Sequence, residues 1–385
     1  MRIHLIDNGL ERYGGHHDHI DRGVKAAAAA RGVEISIYCL ERPDPALAAE
    51  LGARPLLRES MYRPLNSDPY DGAFQDFVGK RRMLIEDLHA LDGEVAADDL
   101  VLLPTVSTPL LAAVGGWLLD RRRPAKVAAL FHDAPAQIGP GSLAGALLRS
   151  AVRSCASAKA PMWLAATNEA LAETLEPVVR GPLRVARVNH FVLPIDAADG
   201  GGPEPRIGML GDSRPEKETA LVAAIEAVGG LSRPLRLVAH RHVRAPQDGD
   251  PVDAALRAEA RVELIDGWLD EPAFARLLSS LDAVLLCHDP AAFRERVSGV
   301  LGMAAGYGRP VIAPAGTWMA ERIARGHAAG VCYDAPDRAA VSAALETLLD
   351  DLPAYRAKAL EIAGRVRLES SAERLVDRLL RWANG

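Results

Sequence analysis

The stretch from Leu281 to Ala315, LDAVLLCHDPAAFRERVSGVLGMAAGYGRPVIAPA, is laid out to hold an anion. Ala283 to Cys287 is a continuous apolar run, as a strand buried on both faces requires. His288-Asp289-Pro290 stops it, because proline cannot take a place in the ladder. Ser298 stands just ahead of an apolar run, where its hydroxyl can cap a helix over Val300 to Ala305. Gly306 and Gly308 end that helix, and Val311-Ile312 returns as the next buried strand. This order predicts free backbone N–H groups from Ser298 through Gly299 and Val300 to Leu301, aimed at the carboxyl edge of a parallel sheet. A diphosphate is at home in such a place.

Three other stretches carry reactive or ligand-binding residue types. Arg206 to Glu218 reads as strand, turn and helix, with Gly211 in the turn and Arg214 and Lys217 at the helix start. Taken alone, the two cations are equally well surface charges flanking a helix. His132 directly follows the strand Lys126 to Phe131, at the end of a parallel strand where α/β enzymes make ligand contacts; the alternative is a structural histidine bonded to a backbone carbonyl. Gly14-Gly15 lies between the strand Arg2 to Asp7 and a helix over His17 to Arg31. No G-x-G-x-x-G fingerprint is present, so the pair is either a tight βα turn or a functional loop. His16, His17 and His19 invite a metal, but neighbours on a helix point about 100° apart and no HExxH spacing is present. Solvated residues at a helix start are the expectation.

The elements that position these residues alternate strand and helix along the chain. Strands are expected at Glu34 to Leu40, Leu100 to Thr105, Met162 to Thr167 and Val185 to Val192, with helices over Gln75 to Leu91, Pro109 to Leu119 and Leu143 to Ala158. Residues 53–73, rich in Pro, Arg, Ser and Asp, read as a long loop. Residues 194–205, PIDAADGGGPEP, lack any apolar period and read as a linker. Beyond it come strands at Leu235 to Ala239, Val262 to Asp266 and Gly330 to Tyr333, then helices over Arg338 to Asp350, Leu352 to Val366 and Ser371 to Trp382. The fold class is α/β, with domains expected at 1–193 and 206–366 and a terminal helical segment at 367–385.

Length and composition fit this organisation. At 385 residues, half hydrophobic and a quarter charged, the chain suits two soluble domains. Basic and acidic residues number 22 and 25 up to position 200 and 23 and 26 beyond it, so no basic domain marks a nucleic-acid partner. The four cysteines form no CxxC pair, which fits a reducing compartment. No apolar run reaches the ~18–20 residues of a membrane span, and a cytoplasmic protein is expected. Arg121-Arg122-Arg123, Arg149, Arg153 and Lys159 offer peripheral contact with an anionic membrane, although a core-packing helix with a charged rim explains them as well.

The spacing from Phe293-Arg294-Glu295-Arg296-Val297-Ser298-Gly299-Val300 to Gly308-Arg309-Pro310-Val311-Ile312 resembles the donor-binding signature of two-domain GT-B glycosyltransferases, in particular the retaining enzymes of glycosyltransferase family 4. The resemblance implies two Rossmann-like domains with a cleft between them and a C-terminal helix crossing back to the first. It implies a nucleotide-diphosphate sugar as donor, a glycan, lipid-linked or small-molecule acceptor, and no metal. In the family a pair of glutamates eight positions apart contacts the donor sugar and the ribose; here the first matches Glu295 and the second is Met303. The segment up to Lys217 resembles the Gly-x-x-x-x-x-Lys entrance to the donor domain, in which a basic pair, here Arg214 and Lys217, grips the diphosphate. Arg296 is a further candidate beside that diphosphate. Gly14-Gly15 corresponds to a loop closing over donor phosphates and acceptor, and His132 to a histidine facing the donor sugar. A nucleotide-sugar epimerase and a non-catalytic binding protein are the alternatives on the same fold.

Overall fold

A computed structural model of the chain describes every residue except 64–71, 120, 136–137, 188–203, 212–214, 242–250 and 295. Two compact units emerge, Met1–Phe191 with Ser370–Gly385, and Val192–Glu369.

The first unit is built on a seven-stranded, fully parallel sheet. Its strands in spatial order are β3 (Ala53–Leu57), β2 (Ile35–Leu40), β1 (Ile3–Ile6), β4 (Leu100–Leu103), β5 (Lys126–Phe131), β6 (Met162–Ala166) and β7 (Arg184–Val185). The central strands read as unbroken apolar runs because both faces are covered. Successive side chains go to opposite faces: Ile3, Leu5, Leu100, Leu102, Ala128 and Leu130 enter one core, while Ile6, Val101, Leu103, Val127 and Ala129 enter the other. The covering helices are α1 (Gly15–Ala29), α2 (Pro45–Leu51), α3 (Gly72–Leu88), α4 (Thr108–Leu118), α5 (Leu143–Ser157) and α6 (Glu169–Val179). The α5 helix packs so closely on α4 that a Cβ at Gly115 would lie 2.5 Å from the Cys155 nitrogen. Its apolar face, Leu148, Ala151 and Cys155, is core.

The second unit repeats the plan with six parallel strands: β10 (Val262–Asp266), β9 (Arg236–Arg241), β8 (Arg206–Met209), β11 (Ala283–Leu285), β12 (Val311–Pro314) and β13 (Gly330–Tyr333). Its helices are α7 (Pro215–Gly230), α8 (Pro251–Ala258), α9 (Glu271–Ser279), α10 (Gly299–Gly306), α11 (Trp318–Ala324), α12 (Arg338–Asp350) and α13 (Leu352–Glu369). In each sheet the chain starts at a central strand, steps outward twice, then crosses back to the other side of the start. The switch points lie between β1 and β4 and between β8 and β11, and parallel sheets bind ligands at the carboxyl end of such points.

The C-terminal helix α14 (Ala372–Asn384) does cross back to the first unit, where Leu375, Val376 and Leu379 are buried in the same core as Ile20, Val24 and Ala28 of α1. Ser371 caps it by accepting from the Arg374 amide at 3.2 Å.

Sequence expectation and structure part company in three places. Residues 53–57 form the edge strand β3 rather than a loop, with its middle residues open to solvent. Ahead of it stands a short helix capped by Asp44, which accepts from the Ala46 and Leu47 amides at 2.9 and 3.1 Å. The α6 helix, capped by Asn168, has no counterpart in the expected elements; of the strand expected over Val185 to Val192, pairing is seen at Arg184–Val185, and 188–192 lie outside the described residues. Most of the expected linker, 194–203, lies outside the described residues.

Candidate functional site

In the second unit the carboxyl ends of β8, β9 and β11 rim a small cavity of about 40 Å³, lined by Gly211, Lys217, Glu218, His240, Arg241, Cys287, His288 and apolar neighbours. Gly211 follows β8 with φ +105°, a backbone conformation that side-chain-bearing residues rarely adopt. A Cβ placed there would lie 3.3 Å from Lys217 Nζ and 3.6 Å from Val300 Cγ2. The ammonium from the first turn of α7 and the first turn of α10 therefore converge on one bare patch of backbone. Ser298 caps α10: it is buried, and its Oγ accepts from the Leu301 N–H at 3.3 Å. The amides of Gly299 and Val300 stand in the first turn, where no intrahelical acceptor exists, at the positive end of the helix dipole.

Around that charge the wall is mixed: Glu218, His240 and Arg241 share it with apolar residues. Burial pushes the Cys287 thiol up to about 12, with Lys217 pulling weakly the other way, so the thiol is a neutral floor rather than a nucleophile. The His288 ring meets Phe293 edge-on at 4.3 Å, and the Arg296 guanidinium lies over Phe293 at 4.8 Å from its centroid. Phe293 is itself fixed, since its carbonyl accepts from the Trp318 amide at 3.0 Å. Met303 packs half-buried against the apolar cluster containing Leu301 and Ala304. A thioether there cannot accept from a ribose hydroxyl as a carboxylate would. Arg214 and Glu295 lie outside the described residues.

In the first unit the carboxyl end of β1 holds a different constellation. Asp7 follows the strand and is fully buried. One of its oxygens accepts from the Gly9 amide at 2.7 Å, and His17 Nδ1 lies 2.8 and 2.7 Å from the two oxygens. His17 Nε2 is 2.7 Å from the Tyr62 hydroxyl. The His17 ring fills the space over Gly9, where a Cβ would come within 2.0 Å of it. Gly14 and Gly15 take successive positive φ values, 78° and 75°, to turn the chain into α1. The Gly14 amide donates to Asp18 at 3.0 Å, and Asp18 accepts from Arg22 at 2.9 Å. His16 bridges this group to His132, its ring centroid 4.0 Å from that of His17 and 5.3 Å from that of His132. His132 Nε2 donates to the Pro104 carbonyl at 2.9 Å, which fixes its tautomer.

One turn further along α1, Asp21 is fully buried. Burial, with Asp7 and Asp18 close by, holds its carboxyl well above the ordinary range. The histidine expectation is corrected here: His17 and His19 are buried, because the Asp7 carboxylate at the strand end draws the helix start inward. Asp7 bears a sequence signal, a carboxylate one residue past an apolar strand. Tyr62 and Asp21 bear none; their neighbours are set by the tertiary fold.

No family model matches the chain, and no curated protein matches it in sequence. Solved structures do match in fold. Sucrose-phosphate synthase from Thermosynechococcus elongatus is similar over 99% of this chain and 98% of its own, with a TM-score of 0.67 at 16% identity. The calicheamicin glycosyltransferase CalG4 is similar over 100% and 98%, with a TM-score of 0.61 at 18% identity. The UDP-GlcNAc 2-epimerase of Neisseria meningitidis, solved with UDP-GlcNAc bound, is similar over 99% and 100%, with a TM-score of 0.63 at 13% identity. The chain has the two-domain α/β fold, GT-B, that these glycosyltransferases and this epimerase share.

Proposed function

We propose that the chain is a glycosyltransferase of the hexosyltransferase type, moving a sugar from a nucleotide-diphosphate donor to an acceptor hydroxyl with retention of configuration. The observation that carries this reading is the convergence of Lys217, Gly211 and the first turn of α10 at the β8/β11 switch point. Cleavage of a sugar–phosphate bond leaves negative charge on the diphosphate, and donors fixed in advance at that position lower the barrier without reorganising. Lys217 with Arg214, and the amides of Gly299 and Val300, hold the leaving group; Glu295 binds donor hydroxyls and orients the anomeric carbon. Arg296, its guanidinium over Phe293, adds a third positive charge, and Met303 lies where the family pattern carries its ribose-binding glutamate. The leaving phosphate takes the acceptor proton, so neither a metal nor a paired carboxylate is required. The first unit recognises the acceptor, with Gly14 and Gly15 as the loop for donor phosphates and acceptor and His132 as the candidate for the donor sugar.

Among the described residues no helix is long and apolar enough to cross a membrane. In this reading the enzyme works in the cytoplasm, in glycan or glycolipid synthesis, and meets lipid-linked acceptors at the membrane face.

A second reading, inversion, is favoured by one observation: the Asp7–His17 pair orients an imidazole as a general base is oriented. The deciding experiment is incubation with UDP-, GDP- and ADP-sugars and candidate acceptors, with nucleotide release and anomeric configuration followed by NMR. Free nucleotide with a retained anomer is expected. An inverted anomer selects the second reading, an epimerised sugar makes the chain an epimerase, and no turnover at all leaves a binding protein. Glu295→Ala should abolish transfer while the circular dichroism spectrum stays unchanged; undiminished turnover would discard its assignment.

A further inference from the structure

The α14 helix carries Arg374, Arg378 and Arg381 at intervals of four and three residues, which gathers them on one face. The other face, with Leu375, Val376 and Leu379, is buried. Arg378 is pinned: its Nη1 donates to the Val185 carbonyl of β7 at 2.7 Å, and its guanidinium stands 5.8 Å from the Trp163 ring centroid. Around it are Arg374, Arg184, Arg381 and Arg187, and burial together with these like charges weakens its hold on its proton.

Two of the nearby carboxylates are paired elsewhere, while Glu373 of the same helix acts on Arg31 without an ion pair among the described residues. Glu169 pairs with Arg187, and Asp377 accepts two bonds from Arg31, at 2.5 and 2.9 Å, and feels Arg381 only at longer range. Among the described residues Arg184, Arg374, Arg378 and Arg381 belong to no ion pair. In a chain whose net charge is −6, a knot of unneutralised guanidinium groups runs against the overall balance. Like charges crowded in this way oppose folding unless an anion joins them, and the planar fork of arginine matches phosphate oxygens two at a time.

We propose that the face formed by Arg374, Arg378 and Arg381 of α14 with Arg184 of β7 binds phosphate-bearing anions, either a soluble polyphosphate or the head groups of an anionic lipid layer. Neither the Lys217 site nor the Asp7–His17 group uses any of these arginines, so this face and sugar transfer stand or fall separately.

The test uses the full chain carrying Lys217→Ala, which removes the ammonium proposed to hold the donor diphosphate. Tripolyphosphate is titrated by calorimetry at low salt, and flotation is measured with phosphatidylcholine vesicles with and without phosphatidylglycerol. Arg374→Glu with Arg381→Glu, both at exposed positions, should weaken binding about tenfold or more, each charge near an anionic surface being worth roughly 1 kcal/mol. Arg122→Glu with Arg123→Glu, an equal change of charge elsewhere in the first unit, should leave it within about twofold. The milder Arg374→Gln with Arg381→Gln keeps the result readable if charge reversal unfolds the protein. Loss of tripolyphosphate binding identifies a soluble ligand, and loss of flotation with phosphatidylglycerol alone identifies a membrane surface. Binding of neither probe, or equal weakening by the Arg122 and Arg123 changes, overturns the proposal.

Discussion

β1 and β8 hold the same place in their sheets, each the first strand made and each flanked by the second strand on one side and the crossover strand on the other. The turns that leave them are unlike. After β1 come side chains bonded to side chains: Asp7 to His17 and His17 to Tyr62. After β8 comes bare backbone at Gly211, with the Lys217 ammonium and the Val300 side chain of the first turn of α10 beside it. In the proposed reading the second edge holds an anion, while the first carries a hydrogen-bonded carboxylate and imidazole. A common topology thus fixes where a site lies and leaves the chemistry to the residues in the next turn.

Removing the anion-holding charge should have the largest effect. Lys217→Ala is expected to raise the barrier to transfer by about 2–4 kcal/mol, a loss of roughly 30- to 1000-fold in turnover; a normal rate would take the ammonium out of the mechanism. Gly211→Ala attacks the same edge through the backbone. A side chain at φ +105° costs about 1–3 kcal/mol, so a lower melting temperature and weaker nucleoside diphosphate binding by calorimetry should appear together. Unchanged values for both would mean that the bare backbone is incidental.

At the β1 edge, His17→Gln should lower turnover only about tenfold if the leaving phosphate accepts the proton. A loss beyond ~100-fold would make the imidazole a base and turn the contrast between the edges into a division of labour within one reaction. The smallest effect concerns Asp21. Its carboxyl titrates above its ordinary 3.8, so above that value the folded chain keeps a proton that the unfolded chain has released. The stability this contributes is complete below the ordinary value and is lost as pH rises through the raised one. Asparagine has nearly the same shape and never ionises, so Asp21→Asn should flatten the decline of melting temperature with rising pH above about pH 4. Parallel profiles for the two proteins would clear Asp21 of that role.

Strands buried on both faces are legible because they leave continuous apolar runs. Lys126–Phe131 and Val311–Pro314 are buried and lie where the residues predict strands. The edge strand β3 has only its ends buried, so Ala-Arg-Pro-Leu-Leu carries no such run and reads as loop. The two edges divide in the same way. Capping serines and turn glycines act within a few residues, which is why Ser298 and Gly211 mark the anion-holding end in the sequence itself. The Asp7–His17–Tyr62 chain joins residues 10 and 45 positions apart, and no local rule links a tyrosine to a histidine across such a span.

The burial of α14 against α1 also sets an order of events during synthesis. The second unit is translated between the two portions of the first, so Ile20 and Val24 wait, uncovered by α14, until the ribosome has made the second unit. Nascent protein of this kind carries an apolar face that holdase chaperones recognise. A release after Glu369 would leave that face open permanently.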